Sequence, residues 1–340
     1  MFKKLFFIVL IAAFSGVCLK AQNLRYSSDG KTLAANWEIF YGRSNNVSQF
    51  ILFDAETGKI KMSFNSNGHS LNDSMFNFTP GNQNLMIADR SSISVLKMTA
   101  DNQIEVEDFE NQFGNYDKNL VAVAPSADGK IYYKVYSDEL IGYDILTKKA
   151  LPEEAKKPSA EGGEFLAFDE NANLLVEYEN KALEQSLIVH NLATKKSNKI
   201  KLPYPFDKEK KGRFDVQFSH NADRMAIRYE TNEEKSQISV WDLKTGTSVA
   251  VFSIRSLKEK NADDFYQIEH FALSPDVKKL AVKIDDRYED DLSNLLFLWD
   301  IATKKETLTA AKKYSVESFA DDFTFSPDSK KLAVSSQIIL

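Results

Sequence analysis

The chain has 340 residues, 43% of them apolar and 27% charged, with a formal net charge of −6. That is a globular composition, long enough for one large β domain or two medium ones, and its many Phe and Tyr favour strands. No basic patch of the size that nucleic-acid binding uses is visible, which sets that partner class aside.

The first element reads as a leader. Residues 1–4 supply a positive start, and residues 5–17 form an apolar run shorter than the roughly 20 residues a membrane-spanning helix needs. Small Ala21 suits cleavage, which predicts a signal peptide over 1–21 and a mature chain over 22–340 without a transmembrane span. The only cysteine, Cys18, lies inside the leader, where a lipoprotein anchor stays open although bulky Val17 precedes it. A mature chain without cysteine has no disulfides, so its core must hold it. Export in that state points to a bacterial envelope, either the periplasm or the cell exterior.

From there one phrase recurs. "NLRYSSDGKTLAANW" begins at Asn23, "MFNFTPGNQNLMIAD" at Met75, "LVAVAPSADGKIYYKV" at Leu120 and "EFLAFDENANLLVEYE" at Glu164. "FDVQFSHNADRMAIRYE" follows at Phe214, "HFALSPDVKKLAVKID" at His270 and "FTFSPDSKKLAVSS" at Phe323. The copies are spaced by about 40 to 55 residues, a propeller-blade period. Each copy predicts an alternating strand, a polar turn and a second apolar strand, with Asp, Gly or Asn meeting the backbone needs of the turn. A third strand ends in a second phrase: "ILFDAETGK" at Ile51, "IGYDILTKK" at Ile141, "LIVHNLATKK" at Leu187, "ISVWDLKTG" at Ile238 and "LFLWDIATKK" at Leu296. A fourth strand follows.

Trp241-Asp242 and Trp299-Asp300, each followed by x-x-Thr and preceded by the Ser-Pro-Asp type of turn, resemble the WD40 repeat; Phe53-Asp54 and Tyr143-Asp144 occupy the same slot. Secreted bacterial TolB-like propellers are similar in the same phrase. The resemblance implies an all-β fold, a seven-bladed β-propeller of four-stranded antiparallel blades starting near 24, 75, 120, 164, 214, 270 and 322. Asp54, Asp144, Trp241, Asp242, Trp299 and Asp300 would be the structural residues of the repeat. The Gly-His pair typical of the family is missing, so its His-to-Asp network is not expected. A lone blade is apolar on both faces and must stack to bury them. The last blade is expected to be incomplete at the C-terminus, since Ile338, Ile339 and Leu340 would only begin its third strand, and the mature chain has no spare N-terminal strand to lend. A longer parent protein, such as a propeller ahead of a peptidase-like domain, stays open.

The turns joining strands one to two and three to four are short, whereas the other loops are long and gather at the opposite end. Long loops on a rigid frame are where binding concentrates. Tyr41, Arg43, Phe113, Tyr116, Tyr204, Phe206, Phe265, Tyr266, Tyr288 and Tyr314 lie on these loops, and exposed aromatics with Arg anchor partners. Each of them could instead pack its loop onto a blade.

Catalytic signals are thin. His69, His190, His220 and His270 stand in different repeats without metal spacing, and His190 fills the aromatic slot of the third-strand phrase. "DDRYEDD" over 285–291 lacks calcium-loop order, and "KEKKGR" over 208–213 is a short charged loop. The expectation is a non-enzymatic scaffold for a protein or peptide partner, with no cofactor, no metal and an open oligomeric state. The rival is a propeller with a ligand or catalytic centre in its channel.

Overall fold

A computed structural model describes residues 6–10, 18–40, 46–65, 75–82, 84–88, 93–98, 104–108, 120–126, 128–152, 157–158, 163–169, 174–181, 184–202, 215–219, 223–230, 236–253, 266–286, 295–309 and 319–336. Among them every regular element is a strand. In chain order these are β1 (Phe6–Leu10), β2 (Cys18–Tyr26), β3 (Thr32–Phe40), β4 (Asn46–Asp54), β5 (Ile60–Asn65), β6 (Met75–Phe78), β7 (Asn84–Ala88), β8 (Ile93–Met98) and β9 (Ile104–Asp108). Next come β10 (Leu120–Pro125), β11 (Ile131–Tyr136), β12 (Glu139–Asp144), β13 (Lys157–Pro158), β14 (Gly163–Asp169), β15 (Leu174–Lys181), β16 (Glu184–Asn191) and β17 (Lys196–Lys201). The remainder are β18 (Asp215–Phe218), β19 (Arg224–Glu230), β20 (Ser236–Asp242), β21 (Thr247–Ser253), β22 (Tyr266–Leu273), β23 (Lys279–Asp286), β24 (Leu295–Asp300), β25 (Lys305–Thr309), β26 (Phe319–Phe325) and β27 (Lys331–Ser336).

Six sheets are four-stranded and follow chain order: β2–β5, β6–β9, β10–β13, β14–β17, β18–β21 and β22–β25. Their strand pairings are antiparallel, as hairpin-joined strands require. A seventh sheet has the order β1-β27-β26, with β1 running parallel to β27. The apolar stretch expected to be a leader thus occupies, in the full chain, the edge of the sheet built by the last phrase. Phe6–Leu10 lies beside Lys331–Ser335, so part of the expected leader and the last phrase share one sheet.

Contacts gather the chain into two units. One comprises Met1–Gly68, Gly212–Asp242 and Ser248–Leu340; the other comprises His69–Lys211 with Leu243–Thr247. In the first unit the repeated Leu-Ala-Val of the second strand explains itself through packing. Leu280 and Val282 join one core with Ala226, Ile238 and Val240 of the preceding sheet, while Ala281 joins another with Phe323, Phe325 and Leu332 of the following one. The strand is covered on both faces, and the small Ala leaves room for the Phe rings. Trp299 stacks on Phe252 of the preceding sheet, with centroids 5.1 Å apart and planes 5° from parallel. In the second unit Met86 and Val95 pack with Val123, Tyr132 and Tyr143, and Val135 and Leu140 pack with Phe165 and Leu175. Each buried Leu, Val or Phe contributes about 1.5–3 kcal/mol, so stacking rather than hairpin formation stabilises the sheets.

First strands carry a recurrent irregularity. Register shifts interrupt β2 at Ala21/Asn23, β10 at Leu120/Ala122, β14 at Phe165/Ala167 and β22 at Ile268/His270. A bulge frees one residue from the ladder and re-aims its polar groups.

Candidate functional site

Two kinds of tight turn close the short-loop end of the strands, and both are saturated with their own hydrogen bonds. Between first and second strands the donor is a serine that the sequence reading passed over. The Oγ of Ser27, Ser126, Ser274 and Ser326 donates to Asp29, Asp128, Asp276 and Asp328 at 2.7–2.8 Å. The same oxygens accept the amides of Thr32, Ile131, Lys279 and Lys331 at 2.9–3.0 Å. The signal was there to read, as Ser-x-Asp recurring before the second strand. The serine hydroxyl, then the amide two residues on, holds Asp29 and Asp128 below the ordinary carboxylate range. For Asp328 burial pushes upward, but Ser326 and Lys330 outweigh it and bring the carboxyl to about 2.

Between third and fourth strands the Asp of the second phrase does the equivalent work. Asp54, Asp144 and Asp300 accept the amide of Thr57, Thr147 and Thr303 at 2.7–2.8 Å and the same residue's hydroxyl at 2.8–2.9 Å. Asn191 accepts the Thr194 amide in the same manner. Those amides, and then the hydroxyls, hold all three carboxylates low. A left-handed residue follows at one aligned position: Gly58, Lys148, Lys195, Gly246 and Lys304, with φ of 54–70°. Asp242, from one of the two literal Trp-Asp pairs, also takes an ion pair from Arg224 at 2.6 Å, and Trp241 Nε1 donates to Ser239 Oγ at 2.7 Å.

The first and second strands carry something different toward their long-loop ends. Within the first unit, Asp215 opens β18 and pairs with Arg228 on β19, whose side chain is 1% exposed. Arg228 also donates to the carbonyls of Ile268 and Glu269 on the next sheet, the second at 3.3 Å. Those carbonyls are available because the chain bulges there. The extra residue, Glu269, pairs with Lys283 at 2.6 Å, a lysine whose side chain is 8% exposed. His270 then meets Asp322 on β26 at 2.8 Å, and the second oxygen of Asp322 accepts the Leu24 amide of β2 at 2.6 Å. Burial pulls the His270 imidazole down, but the charge and hydrogen bond of Asp322, the Phe323 carbonyl and the charge of Asp215 carry it above its ordinary value. One polar network thus runs across four sheets of that unit through residues that differ from sheet to sheet. A pattern reading of one strand at a time missed it, because the partners lie on other strands and, for Arg228, His270 and Asp322, also on other sheets.

A second polar chain stands in the other unit. His190, expected to pack in the aromatic slot, instead bridges Ser197 Oγ from Nδ1 and Glu177 Oε2 from Nε2, both at 2.7 Å. The residue types are those of a nucleophilic relay. Such chemistry also needs oxyanion donors and a walled pocket. Ser197 lies in an exposed run from Ala193 to Lys199, beside the Lys199–Glu179 pair, so the chain reads as the polar replacement for the aromatic ring.

Tyr41, Arg43, Phe113, Tyr116, Tyr204, Phe206, Phe265, Tyr288 and Tyr314 lie outside the described residues. Tyr266 has a described backbone: it opens β22 opposite Asp286, at the long-loop end. Among the described residues no group of three or more His, Cys, Asp and Glu could hold a metal ion, and no helix is long and apolar enough to cross a membrane.

No family model and no curated protein matches the sequence. Solved structures match its fold. The β-propeller domain of Cps50 (Swd1) from Myceliophteria thermophila is 13% identical, with a TM-score of 0.55 over 93% of this chain and 91% of that one. Hsv2 from Kluyvelomyces marxianus is 14% identical, with a TM-score of 0.51 over 83% and 72%. The periplasmic gluconolactonase PpgL of Pseudomonas aeruginosa is 15% identical, with a TM-score of 0.55 over 84% and 83%. At these identities the likeness is one of fold, and the fold is a WD40-like β-propeller.

Proposed function

We propose that this propeller is an exported, non-enzymatic scaffold that holds a protein or peptide partner at its long-loop end. One observation carries the reading. The short-loop turns spend their polar groups on themselves, whereas toward the opposite end of the same strands Asp215, Arg228, Glu269, Lys283, His270 and Asp322 form a charged network. Rigid strands with variable polar ends suit recognition, and the loop aromatics Tyr204, Phe265 and Tyr266 would supply the anchors. Replacing those three with Ala should abolish capture of the partner recovered with the unaltered protein. An unchanged set of captured proteins would count against the reading.

The same reading takes the seven sheets as seven blades, the last one thin. Hydrogen exchange at 323–336 should then be faster than in the central strands β19 and β23; equal protection would argue for a complete blade. Export predicts a mature protein beginning at Gln22, which N-terminal mass analysis of the native protein would read directly. The gluconolactonase among the structural neighbours keeps a ligand-centred reading in view. A stoichiometric metal ion in the purified protein would favour that alternative over the scaffold.

A further inference from the structure

Fourth strands differ in the charge they carry. β9 holds Glu105, Glu107 and Asp108, β21 is uncharged, and β25 sets Glu306 beside Lys305. β5 and β13 carry one lysine each. β17 reads Lys-Ser-Asn-Lys-Ile-Lys, with three lysines and no acid, and Lys195 precedes it in an exposed turn. The stretch 195–213 counts eight basic against two acidic residues, in a chain whose net charge is −6.

The pairings show which side of the sheet these charges take, since residues directly opposite in a ladder share a face. Ser197 lies opposite His190, Lys199 opposite Ile188 and Lys201 opposite Ser186. Those three lie in turn opposite Leu175, Glu177 and Glu179 of β15. Leu175 packs with Val135 and Leu140, so this face is the one toward β10–β13 of the same unit. There β13 is only two residues long, and Ser197, Lys199 and Lys201 are exposed, whereas Ile200 on the other face is buried. Beneath the lysines lie buried carboxylates: Glu179 is 6% exposed and pairs with Lys199, whose side chain is 44% exposed. The pairs Asp215–Arg228 and Glu269–Lys283 have the reverse order, with the cation buried and the carboxylate outward.

We propose that β17 docks the protein on an anionic membrane surface through Lys195, Lys199 and Lys201. Alternate residues of a strand stand about 7 Å apart, so the lysines form a row that meets a plane of headgroup phosphates. Lysine is a hydrated point charge suited to such diffuse attraction, and each one near the surface strengthens binding about fivefold. A protein partner would need an apolar centre, and the exposed residues of β17 on this face are Ser197, Lys199 and Lys201. Tyr204 and Phe206, next in sequence, are aromatic, and aromatic rings favour the headgroup layer. The inference needs only β17 and its turn, and it stands apart from the partner reading above.

Co-sedimentation of the full chain with vesicles tests it. The quantity read is the excess bound to phosphatidylglycerol and phosphatidylcholine in equal parts over phosphatidylcholine alone, which subtracts any binding by the apolar run 5–17. That excess should fall several-fold as salt is raised to physiological strength. Lys195→Glu with Lys201→Glu should lower it at least about tenfold at an unchanged thermal melt, and the milder Lys195→Gln with Lys201→Gln should give an intermediate loss. Lys304→Glu with Lys305→Glu makes the same charge change in the same Ala-Thr-Lys-Lys phrase and should leave the excess nearly unchanged. No excess on anionic vesicles, equal losses in the two reversed pairs, or binding of a single-stranded oligonucleotide without binding of the vesicles would each overturn the proposal.

Discussion

The two ends of the same strands are built by opposite rules. At the short-loop end one solution is copied: a serine hydroxyl or an aspartate carboxylate takes the turn amides, and the residue that must adopt positive φ stands at a fixed offset. At the long-loop end of the first unit the charges differ from sheet to sheet, and Arg228, His270 and Asp322 each reach a partner on another sheet. Repetition serves closure of the hairpins; divergence is confined to where sheets meet and loops begin. A repeat protein can vary its polar strand ends freely only because its turns are self-sufficient.

The largest effect expected from breaking this contrast is at Arg228. Its guanidinium holds Asp215 and two bulge carbonyls while buried. Arg228→Ala should cost about 3–5 kcal/mol, because a cavity opens and the bulge loses its donors. Urea unfolding would read this as a lowered midpoint; a loss under about 1 kcal/mol would show that the network is decoration rather than structure. At the other end, Ser274→Ala should cost about 1–3 kcal/mol, leaving the Lys279 amide and Asp276 without the buried hydroxyl. Ser326→Ala should match it, since its geometry is the same. Unequal losses would mean that the copies are alike in sequence but not in energetics.

The division between the ends also explains what was legible. Four-stranded antiparallel sheets follow from alternation and turn residues within one stretch of chain, and "LAV" with its flanking Asp or Gly repeats often enough to be seen. The roles of Asp54, Asp144 and Asp300 were legible as positions, though their hydrogen bonds to the threonine three residues on had to be observed. The polar network was not legible, because "MAIRYE" and "LAVKID" read as ordinary strands and nothing local marks a bulge at Glu269. His190 misled for a related reason: its slot is aromatic elsewhere, but Glu177 and Ser197 come from the neighbouring strands. The loop aromatics chosen as partner anchors lie outside the described residues, save for the backbone of Tyr266.

A smaller effect, of opposite sign, is expected at Lys304. It holds φ 54° where the aligned residues at two other turns are Gly58 and Gly246. Its side chain is exposed, so Lys304→Gly removes left-handed strain while sacrificing little contact, and should raise stability by about 0.5–1 kcal/mol. A destabilised variant would mean that the turn is held open by more than its Asp300–Thr303 bonds.

The smallest expected change, and the one that separates the two ends by pH, concerns His270. Its folded value lies above the unfolded one, so the stability from the charged pair with Asp322 is fully present below the ordinary histidine range and is lost as pH rises through the raised value. The turn aspartates behave in the opposite sense: held low, they stabilise above the ordinary carboxylate range and lose that contribution as pH falls toward about 2, where Asp328 titrates. Thermal melts should therefore decline mildly from weakly acidic to weakly alkaline pH, and separately and more steeply in strong acid. The His270 side chain is 32% exposed, so solvent screening keeps its share small. Asp322→Asn should flatten the neutral-to-alkaline decline and leave the acid limb in place, since it removes the carboxylate that charges His270 but touches none of the turns. If both limbs moved together, the network and the turns would be one cooperative system, and the separation between repeated and divergent ends would be one of sequence alone.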